Sequence, residues 1–322
     1  MRNVEYISPS SLAVFETDLD EFYLKYLAET RPPRIPQTAP MAVGSSFDAY
    51  VKNYLHQGLF GKSTEYALDT LIEKQVESQN RDQARIDGEI AFNAYRLSGA
   101  LADLMLLLTK SPTDPQFEFE IRGPLENFGD KVDEVTILGK PDLKFQTHLR
   151  RDVVLDWKVN GFYSKASPMK GYVRIRDGWI NKPASRSSNT IHKDAQPMDF
   201  GGINVNIADY LENFNSGWAT QLSMYGWLCD AVSPVYAIDQ LACKGRNEIR
   251  IAEHRTKISH NFHIDLIARL RCMWLRIHSD HFFLDMSKKD SQARCALLDK
   301  QYQTFEGTSE RDKWMQNISR GA

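Results

Sequence analysis

The sequence predicts an α/β fold with a central mixed β-sheet, helices on its flanks and a helical N-terminal part. Three observations support this prediction. Apolar residues recur at helical spacing in much of the first 110 positions. Short alternating or β-branched runs follow between positions 117 and 159. Helix-like and strand-like segments then alternate towards the C-terminus, as expected for helices packed on a sheet.

The first element is a helix over 8–30. Ser8 or Ser10 is placed to cap its first turn, because a serine hydroxyl accepts a hydrogen bond from the amides that begin a helix. The proline-rich segment 31–36 ends this helix and predicts an extended connection.

Two further helices are predicted before the sheet, over 47–59 and 84–108. In the second, apolar residues recur at alternating spacings of four and three, which places them on one helix face. These residues are Ile90, Ala94, Leu97, Leu101, Leu104 and Leu108.

The predicted sheet begins with a strictly alternating strand over 117–121. The next predicted strands lie near 132–139, 141–146 and 152–159. A polar turn separates the last two, so they form a hairpin. Beyond position 216 the pattern predicts a helix over 218–228, a strand pair at 235–242 and 248–252, a helix over 264–283 and a polar C-terminal helix.

The segment 160–216 is far longer than an ordinary connection between a strand and a helix. Its aromatic residues include Phe162, Tyr163, Tyr172 and Trp179. Its basic residues include Lys165, Lys170, Arg174, Arg176, Lys182 and Arg186. Basic and aromatic side chains together favour binding of a single nucleic-acid strand through phosphate contacts and base stacking. An oligomer contact or a flexible loop is an equally good interpretation of this insertion.

The charge distribution favours a nucleic-acid partner. The 322-residue chain has a formal net charge of −2, but 140–193 holds twelve Lys or Arg against four Asp, a net of +8. The remainder therefore sums to −10. A basic band suits a phosphate backbone, although a solvated basic loop region is the ordinary alternative. No apolar run is long enough for a membrane span, no signal peptide is evident and the four cysteines are scattered, so we expect a cytoplasmic protein.

The strongest chemical signal is the pair of segments Pro141-Asp142 and Asp156-Trp157-Lys158. Strand side chains alternate, so Asp156 and Lys158 share one face while Trp157 points into the core. Two carboxylates can hold a hard divalent cation, and a nearby ammonium group can offset charge on a phosphate. A surface hairpin with solvated charges is the alternative. The apolar run that precedes Asp156 favours a site, because charges at the end of a core strand are costly unless paired or bound to metal.

These segments resemble the PD-(D/E)xK nuclease superfamily, in particular its RecB-like branch. Gln221 and Tyr225 lie at i and i+4 and match the Gln-x-x-x-Tyr helix of that branch. The N-terminal serines resemble its opening helix. Asp48 follows Gly44 where relatives usually carry a metal-binding histidine at the start of a helix. The cysteine spacing does not match the iron–sulfur cluster that some relatives hold.

The resemblance implies a restriction-endonuclease-like core with a helical N-terminal cap and a long insertion after the Asp-x-Lys strand. One nuclease domain would then span 1–322. Its parts would be a helical region at 1–110, the catalytic strands at 111–159, the insertion at 160–216, and the Gln-x-x-x-Tyr helix with closing strands and helices at 217–322.

The resemblance also implies residue roles. Asp142, Asp156, the Trp157 carbonyl and Asp48 would ligate Mg²⁺ or Mn²⁺. Lys158 would orient the attacking water. The helix residues Gln221 and Tyr225 would hold the scissile strand.

The expected activity is a metal-dependent deoxyribonuclease, an exonuclease acting on DNA ends or single strands in recombination, repair or phage DNA metabolism. A phage-encoded protein would act in the host cytoplasm. The expected partners are DNA and a recombination protein or further copies of this chain. A catalytically inactive nuclease fold that binds DNA or supports assembly is the alternative, and an enzyme acting on RNA is another.

Overall fold

The computed structural model describes residues 2–29, 36–117, 119–125, 135–169, 174–178, 197–231 and 233–304. The chain forms two compact units. The terminal unit comprises Met1–Ile35, Ile121–Gly139 and His260–Ala322, and the central unit comprises Pro36–Glu120 and Lys140–Ser259. Among the described residues, no helix combines the length and apolar character needed to cross a membrane. The expectation of one nuclease domain over 1–322 stays a prediction.

The central unit contains a mixed six-stranded sheet. Its strands, in spatial order, are β1 (Gln116–Phe117), β4 (Leu143–Gln146), β5 (Asp152–Asn160), β9 (Val235–Cys243), β10 (Ile249–Thr256) and β6 (Arg174–Gly178). β5 and β9 are parallel, and every other neighbouring pair is antiparallel. The hairpin of β4 with β5 and the pair of β9 with β10 confirm two predictions. The strand β6, inside the long insertion, was not predicted.

Two smaller sheets complete the described strands. β2 (Ile121–Pro124) pairs with β3 (Thr136–Gly139) in the terminal unit, and β7 (Pro197–Asp199) pairs with β8 (Asn204–Asn206) in the central unit. The single strand predicted over 117–121 is therefore wrong. Phe117 pairs with Leu143 of β4, whereas Ile121 pairs with Gly139 of β3. Alternation alone cannot show that the chain changes sheets. The predicted strand at 132–139 is observed only from Thr136, and 132–134 lie outside the described residues.

The helices of the central unit are α3 (Ala39–Phe60), α4 (Leu68–Gln75), α5 (Arg81–Leu97), α6 (Ala100–Thr109) and α7 (Ser216–Leu228). α3 begins well before the predicted position 47, so Gly44 lies inside the helix and does not open it. The continuous helix predicted over 84–108 is also wrong. Gly99 adopts a φ of 86°, which separates α5 from α6, and Leu97 is exposed at the end of the first helix.

The terminal unit contains α1 (Pro9–Thr17), α2 (Leu19–Phe22), a π-helical turn (Tyr23–Leu27), α8 (His260–Ile277) and α9 (Lys288–Thr304). Ser8 caps α1, accepting a hydrogen bond from the Ser11 amide at 3.2 Å, as predicted. The predicted helix over 8–30 is interrupted because Asp18 is extended and caps α2. Its carboxylate accepts hydrogen bonds from the Asp20 and Glu21 amides, each at 2.9 Å.

The core of the central unit lies between the sheet and the helices α3 and α5. Leu155 and Trp157 of β5 are buried there with Phe47 and Tyr95, which contact each other edge to face at 5.7 Å. Trp157 therefore points into the core as predicted. The other face of β5 meets α7, because Gln221 contacts residues that alternate with Trp157. The unit is thus an α/β fold with a mixed sheet flanked by helices.

Candidate active site

The β4–β5 hairpin places two carboxylates opposite each other. Leu143 pairs with Leu155, so the next antiparallel position sets Asp142 opposite Asp156. Side chains directly opposite in such a pair have Cβ atoms about 4.5–5.5 Å apart. Asp142 Oδ2 also accepts a hydrogen bond from the Trp157 amide at 2.9 Å. Backbone pairing and this bond together hold the two acidic side chains at one end of the hairpin.

Lys158 lies beside the second carboxylate. Its Nζ is 2.5 Å from Asp156 Oδ2 and donates to Gln221 Oε1 at 2.8 Å. Burial lowers the pKa of Lys158, but Asp156 and Asp142 outweigh burial, so the net shift is upward. The side chain stays cationic at neutral pH. It can therefore supply positive charge and hydrogen bonds, and it does not act as a general base.

The helix α7 completes the same network. Asn215 caps it by accepting a hydrogen bond from the Trp218 amide at 2.9 Å. One turn in, Gln221 Nε2 donates to Asp156 Oδ1 at 3.0 Å and to the Tyr225 hydroxyl at 2.9 Å. Burial, followed by the charge of Asp156, raises the pKa of Tyr225, so this phenol stays protonated. The helical spacing of four residues brings Gln221 and Tyr225 to one face, as predicted.

Asp48 reaches the same region from α3. Its Oδ2 is 2.5 Å from Lys52 Nζ and accepts a hydrogen bond from Gln75 Nε2 at 3.0 Å. The Lys52 side chain is almost fully buried. Sequence reasoning missed Lys52 and Gln75. The spacing of four residues between Asp48 and Lys52 within one helix is the signal that predicts their ion pair.

Burial and the crowding of the carboxylates together shape the electrostatics of the site. Burial first, then Asp156 and Asp48, raise the pKa of Asp142 well above its ordinary value. Lys52 and Lys158 oppose this shift but do not cancel it. In the absence of a cation, Asp142 therefore tends to keep its proton. A divalent cation would relieve this repulsion.

The donor set fits a hard cation such as Mg²⁺ or Mn²⁺, because it offers carboxylate oxygens. In the described part of the chain, no group of three or more His, Cys, Asp or Glu side chains is arranged to hold a metal ion. Asp142 and Asp156 are therefore the side chains best placed to bind, together with main-chain oxygen such as that of Trp157. Asp48 lies close enough to affect Asp142, although Lys52 already neutralises it.

The basic residues predicted to bind nucleic acid fall on several parts of the insertion. Lys165 is exposed, and its backbone forms a bridge with Lys244. Arg174 and Arg176 belong to β6, which pairs with β10 at the edge of the sheet. The other three predicted residues, Lys170, Lys182 and Arg186, lie outside the described residues.

A second buried charge cluster lies on the opposite face of the sheet, on β9 and β10, and was not predicted. Asp239 of β9 is the register partner of Trp157. Its Oδ1 is 2.7 Å from Arg255 Nη2, and its Oδ2 accepts a hydrogen bond from the Tyr95 hydroxyl. Burial lowers the pKa of Arg255, but Asp239 and Glu253 outweigh burial and keep the guanidinium charged.

No protein-family model matches the chain, and no curated protein matches it. Solved structures that are similar to it include the following two. A "Putative exonuclease" from Eubacterium rectale is 16% identical, with a TM-score of 0.40 over 85% of this chain and 80% of that chain. SSO0001 is 12% identical, with a TM-score of 0.26 over 87% of this chain and 79% of that chain.

Proposed function

We propose that this protein is a divalent-metal-dependent deoxyribonuclease with a restriction-endonuclease-like core. In this proposal it is an exonuclease of the RecB-like branch that acts on DNA ends or single strands. One observation carries the proposal: Asp142 Oδ2 accepts a hydrogen bond from the amide that follows Asp156, and the network from Asp156 runs through Lys158 and Gln221 to Tyr225. Each of these residues has a use in phosphodiester hydrolysis.

The two aspartates would hold Mg²⁺ or Mn²⁺, with the Trp157 carbonyl as a further ligand. Such a cation lowers the pKa of a water and offsets negative charge on the phosphate. Binding requires that Asp142 release its proton, since a carboxylate ligates metal only in its ionised form. The raised pKa of Asp142 therefore makes metal affinity increase with pH.

Lys158 would act on the reacting phosphate. Its ammonium group is held by Asp156 and Gln221, and part of its side chain remains open to solvent. A fixed cation at this position stabilises charge that develops on the phosphorane and orients the attacking water through its hydrogen bonds. Gln221 fixes both the lysine and the aspartate, while the protonated Tyr225 hydroxyl is available as a donor to a DNA phosphate.

The insertion at 160–216 would guide the DNA strand. The proposed contacts are Lys165, Lys170, Arg174, Arg176, Lys182 and Arg186. The assignment of these residues is supported by the net charge of +8 over 140–193, which surrounds an acidic site in the sequence. A recombination protein or further copies of the chain are proposed as protein partners.

The proposal is tested with end-labelled linear DNA and covalently closed circular DNA, each incubated with Mg²⁺, Mn²⁺, Ca²⁺ or EDTA. We expect cleavage of the linear substrate with Mg²⁺ or Mn²⁺ only. Ca²⁺ should support binding with little turnover, because it takes more ligands at longer distances and acidifies water less. Equal cleavage in EDTA removes the metal mechanism. Cleavage of closed circles indicates an endonuclease, and binding without cleavage under every condition favours the inactive DNA-binding module.

A further inference from the structure

The chain that leaves β5 is fastened to the turn between β9 and β10. Gly161 adopts a φ of +76°, and a Cβ atom there would lie 2.4 Å from the Ala166 nitrogen and 2.5 Å from the Cys243 oxygen. The Ala166 amide donates to the Cys243 carbonyl at 2.7 Å, and the Gly245 amide donates to the Gly161 carbonyl at 3.4 Å. These contacts hold two segments, distant in sequence, side by side in the central unit.

A buried aspartate joins the same two segments. Asp87 lies in α5 with no exposed surface. Its Oδ2 accepts hydrogen bonds from the Tyr163 hydroxyl and, at 2.9 Å, from Arg246 Nη2. A buried carboxylate needs such partners, since an isolated one is costly. Asp87 therefore holds the hydroxyl of Tyr163 and one nitrogen, Nη2, of the Arg246 guanidinium.

The remaining parts of both side chains face solvent. Tyr163 is 45% exposed and the Arg246 side chain is 47% exposed. The ring of Tyr163 contacts the buried ring of Phe162 edge to face, with the ring centres 5.5 Å apart. This contact restrains the orientation of the Tyr163 ring. The Arg246 guanidinium lies 5.9 Å from the centre of the Tyr163 ring. An aromatic surface and a cation are thus held beside each other by Asp87 and are both accessible to solvent.

Tyr163 and Arg246 need not be exposed to solvent in order to neutralise Asp87. Asp239 is bound by the same two residue types, Tyr95 and Arg255, and both of those are buried. Exposure of the Asp87 partners therefore needs a further reason. Contact with a ligand that offers both a flat apolar surface and a negative charge supplies one.

We propose that Tyr163 and Arg246 form a platform that binds one nucleotide of a single-stranded nucleic acid. An unpaired base would stack on the Tyr163 ring, and the adjoining phosphate would pair with the Arg246 guanidinium. This is the combination by which single strands are held without sequence preference. The proposal rests on the proposed nuclease function for its biological substrate.

The surroundings of the platform suit a phosphate backbone. Lys165 and Lys244 lie on adjoining backbone, which forms a bridge between them. Glu248 pairs with Lys244 at 3.1 Å and Asp87 pairs with Arg246 at 2.9 Å. The three basic groups Lys165, Lys244 and Arg246 therefore outnumber these two acids.

The platform lies in the same compact unit as the candidate active site. β5 runs from Asp156 to its last residue, Asn160, over four residues, or about 13 Å at the usual rise of a strand. Tyr163 follows three positions later and bonds to Asp87 of α5, the helix on the sheet face opposite Lys158.

The test compares Tyr163→Leu with Tyr210→Leu, which removes a tyrosine of the central unit that is 47% exposed. Fluorescence anisotropy in EDTA measures binding of a labelled dT 15-mer and of a 15-base-pair duplex, so the readout needs neither metal nor cleavage. We expect Tyr163→Leu to weaken binding of the single strand about 5- to 150-fold, the range for loss of one stacked base. Duplex binding and the Tyr210→Leu variant should change little.

Two further variants distinguish a loss of ligand contacts from a failure to fold. Tyr163→Trp keeps an aromatic face without the hydroxyl and should retain most of the affinity. Arg246→Gln should reduce the slope of log affinity against log salt by about 0.7, the contribution of one phosphate contact on a single strand. Parallel titrations with an RNA 15-mer show whether the platform accepts ribose, deoxyribose or both. A loss of affinity in Tyr163→Leu with either oligonucleotide supports the platform.

Equal binding by the parent and a folded Tyr163→Leu protein overturns the platform, as does an equal loss in Tyr210→Leu. A loss in Tyr163→Trp as large as in Tyr163→Leu also overturns it, because the bond to Asp87 would then be the important feature. If the parent binds the dT 15-mer through Tyr163 but never cleaves linear DNA with Mg²⁺, the platform stands and the nuclease proposal fails. If the parent cleaves linear DNA and Tyr163→Leu binds the dT 15-mer as well as the parent does, the nuclease proposal stands and the platform fails.

Discussion

The central sheet carries a buried charge cluster on each face, and the two clusters differ in how completely they are closed to solvent. On the face towards α5, Asp239 is bound by Tyr95 and Arg255, and the Arg255 side chain is only 10% exposed. On the face towards α7, the Lys158 side chain is 22% exposed. Both clusters contain an ion pair. One is sealed and the other is open.

The arrangement of charge also differs. The sealed cluster sets one arginine against Asp239, with Glu253 adding a second negative charge nearby. The open cluster brings Asp142, Asp156 and Asp48 together with Lys52 and Lys158, and burial and the two neighbouring carboxylates raise the pKa of Asp142 in spite of the lysines. The sealed ion pair offers no open side to a ligand. Crowded carboxylates in an open pocket cost stability and are poised to bind a cation. We therefore expect damage to the sealed cluster to appear in stability and damage to the open cluster to appear in activity.

The largest effect should follow Arg255→Met, which leaves the Asp239 charge buried without its partner. Breaking a buried ion pair on one side costs about 3–5 kcal/mol. Urea unfolding followed by tryptophan fluorescence measures this loss of free energy of unfolding. The double variant Arg255→Met with Asp239→Leu should recover part of it, because apolar side chains can replace a buried pair. A loss below about 1 kcal/mol would show that this cluster is not a structural ion pair.

Lys158→Ala should lower the cleavage rate about 10²–10³-fold, as expected for removal of one well-placed electrostatic group. Metal binding and DNA binding should remain nearly intact, and stability should change little because the lysine is partly exposed. Single-turnover cleavage of linear DNA provides the measurement. Lys144→Ala is the matched control, since Lys144 lies on the neighbouring strand and donates to the Cys229 carbonyl at 2.6 Å. Parental cleavage by folded Lys158→Ala protein would show that the site is assigned wrongly.

Asp156→Asn should also abolish cleavage, but by weakening metal binding. We expect the affinity for Mn²⁺ to fall at least about 10–100-fold. Mutation of a residue that only hydrogen-bonds to a metal ligand already causes a loss of this size. Raising the Mn²⁺ concentration should then restore some activity, which it should not do for Lys158→Ala. In EDTA the variant should bind DNA at least as well as the parent, because one charge that repels phosphate is gone. Calorimetric titration with Mn²⁺ separates these cases, and unchanged affinity argues against Asp156 as a ligand.

The smallest effect concerns the pH dependence of stability. Asp142 has a higher pKa in the folded chain than its ordinary value of 3.8, so the folded state binds more protons than the unfolded state above that pH. The free energy of unfolding in EDTA should therefore decrease as the pH rises through the window between the two pKa values. Mg²⁺ should reduce this decrease, because it binds the ionised carboxylate. Asp142→Asn should make the profile flatter, and an identical profile would contradict the raised pKa of Asp142.

Local patterns in the sequence were sufficient for the hairpin and for the spacing of Gln221 and Tyr225. Strand alternation predicts that Asp156 and Lys158 share a face, and a short turn sets the register that places Asp142 opposite Asp156. Helical periodicity places Gln221 and Tyr225 on one face. These relations hold because the residues are close in sequence and the backbone geometry of each element is regular.

Where local prediction failed, a single residue or a change of sheet was responsible. Gly99 divides α5 from α6, and Asp18 divides α1 from α2, although the apolar pattern continues across both positions. The predicted strand over 117–121 is divided because its ends pair with different partners. Backbone conformation and strand partners outweighed side-chain periodicity at each of these points.

The sequence by itself determined the α/β class, the hairpin and the residue types at the candidate site. Only the tertiary structure decided which charged residues share a pocket. Asp239 meets Tyr95 across 144 positions, and Asp87 meets Arg246 across 159. The pattern of one element does not encode such pairs, because they arise from how helices pack on the sheet. The difference between a sealed cluster and an open one is therefore a property of packing.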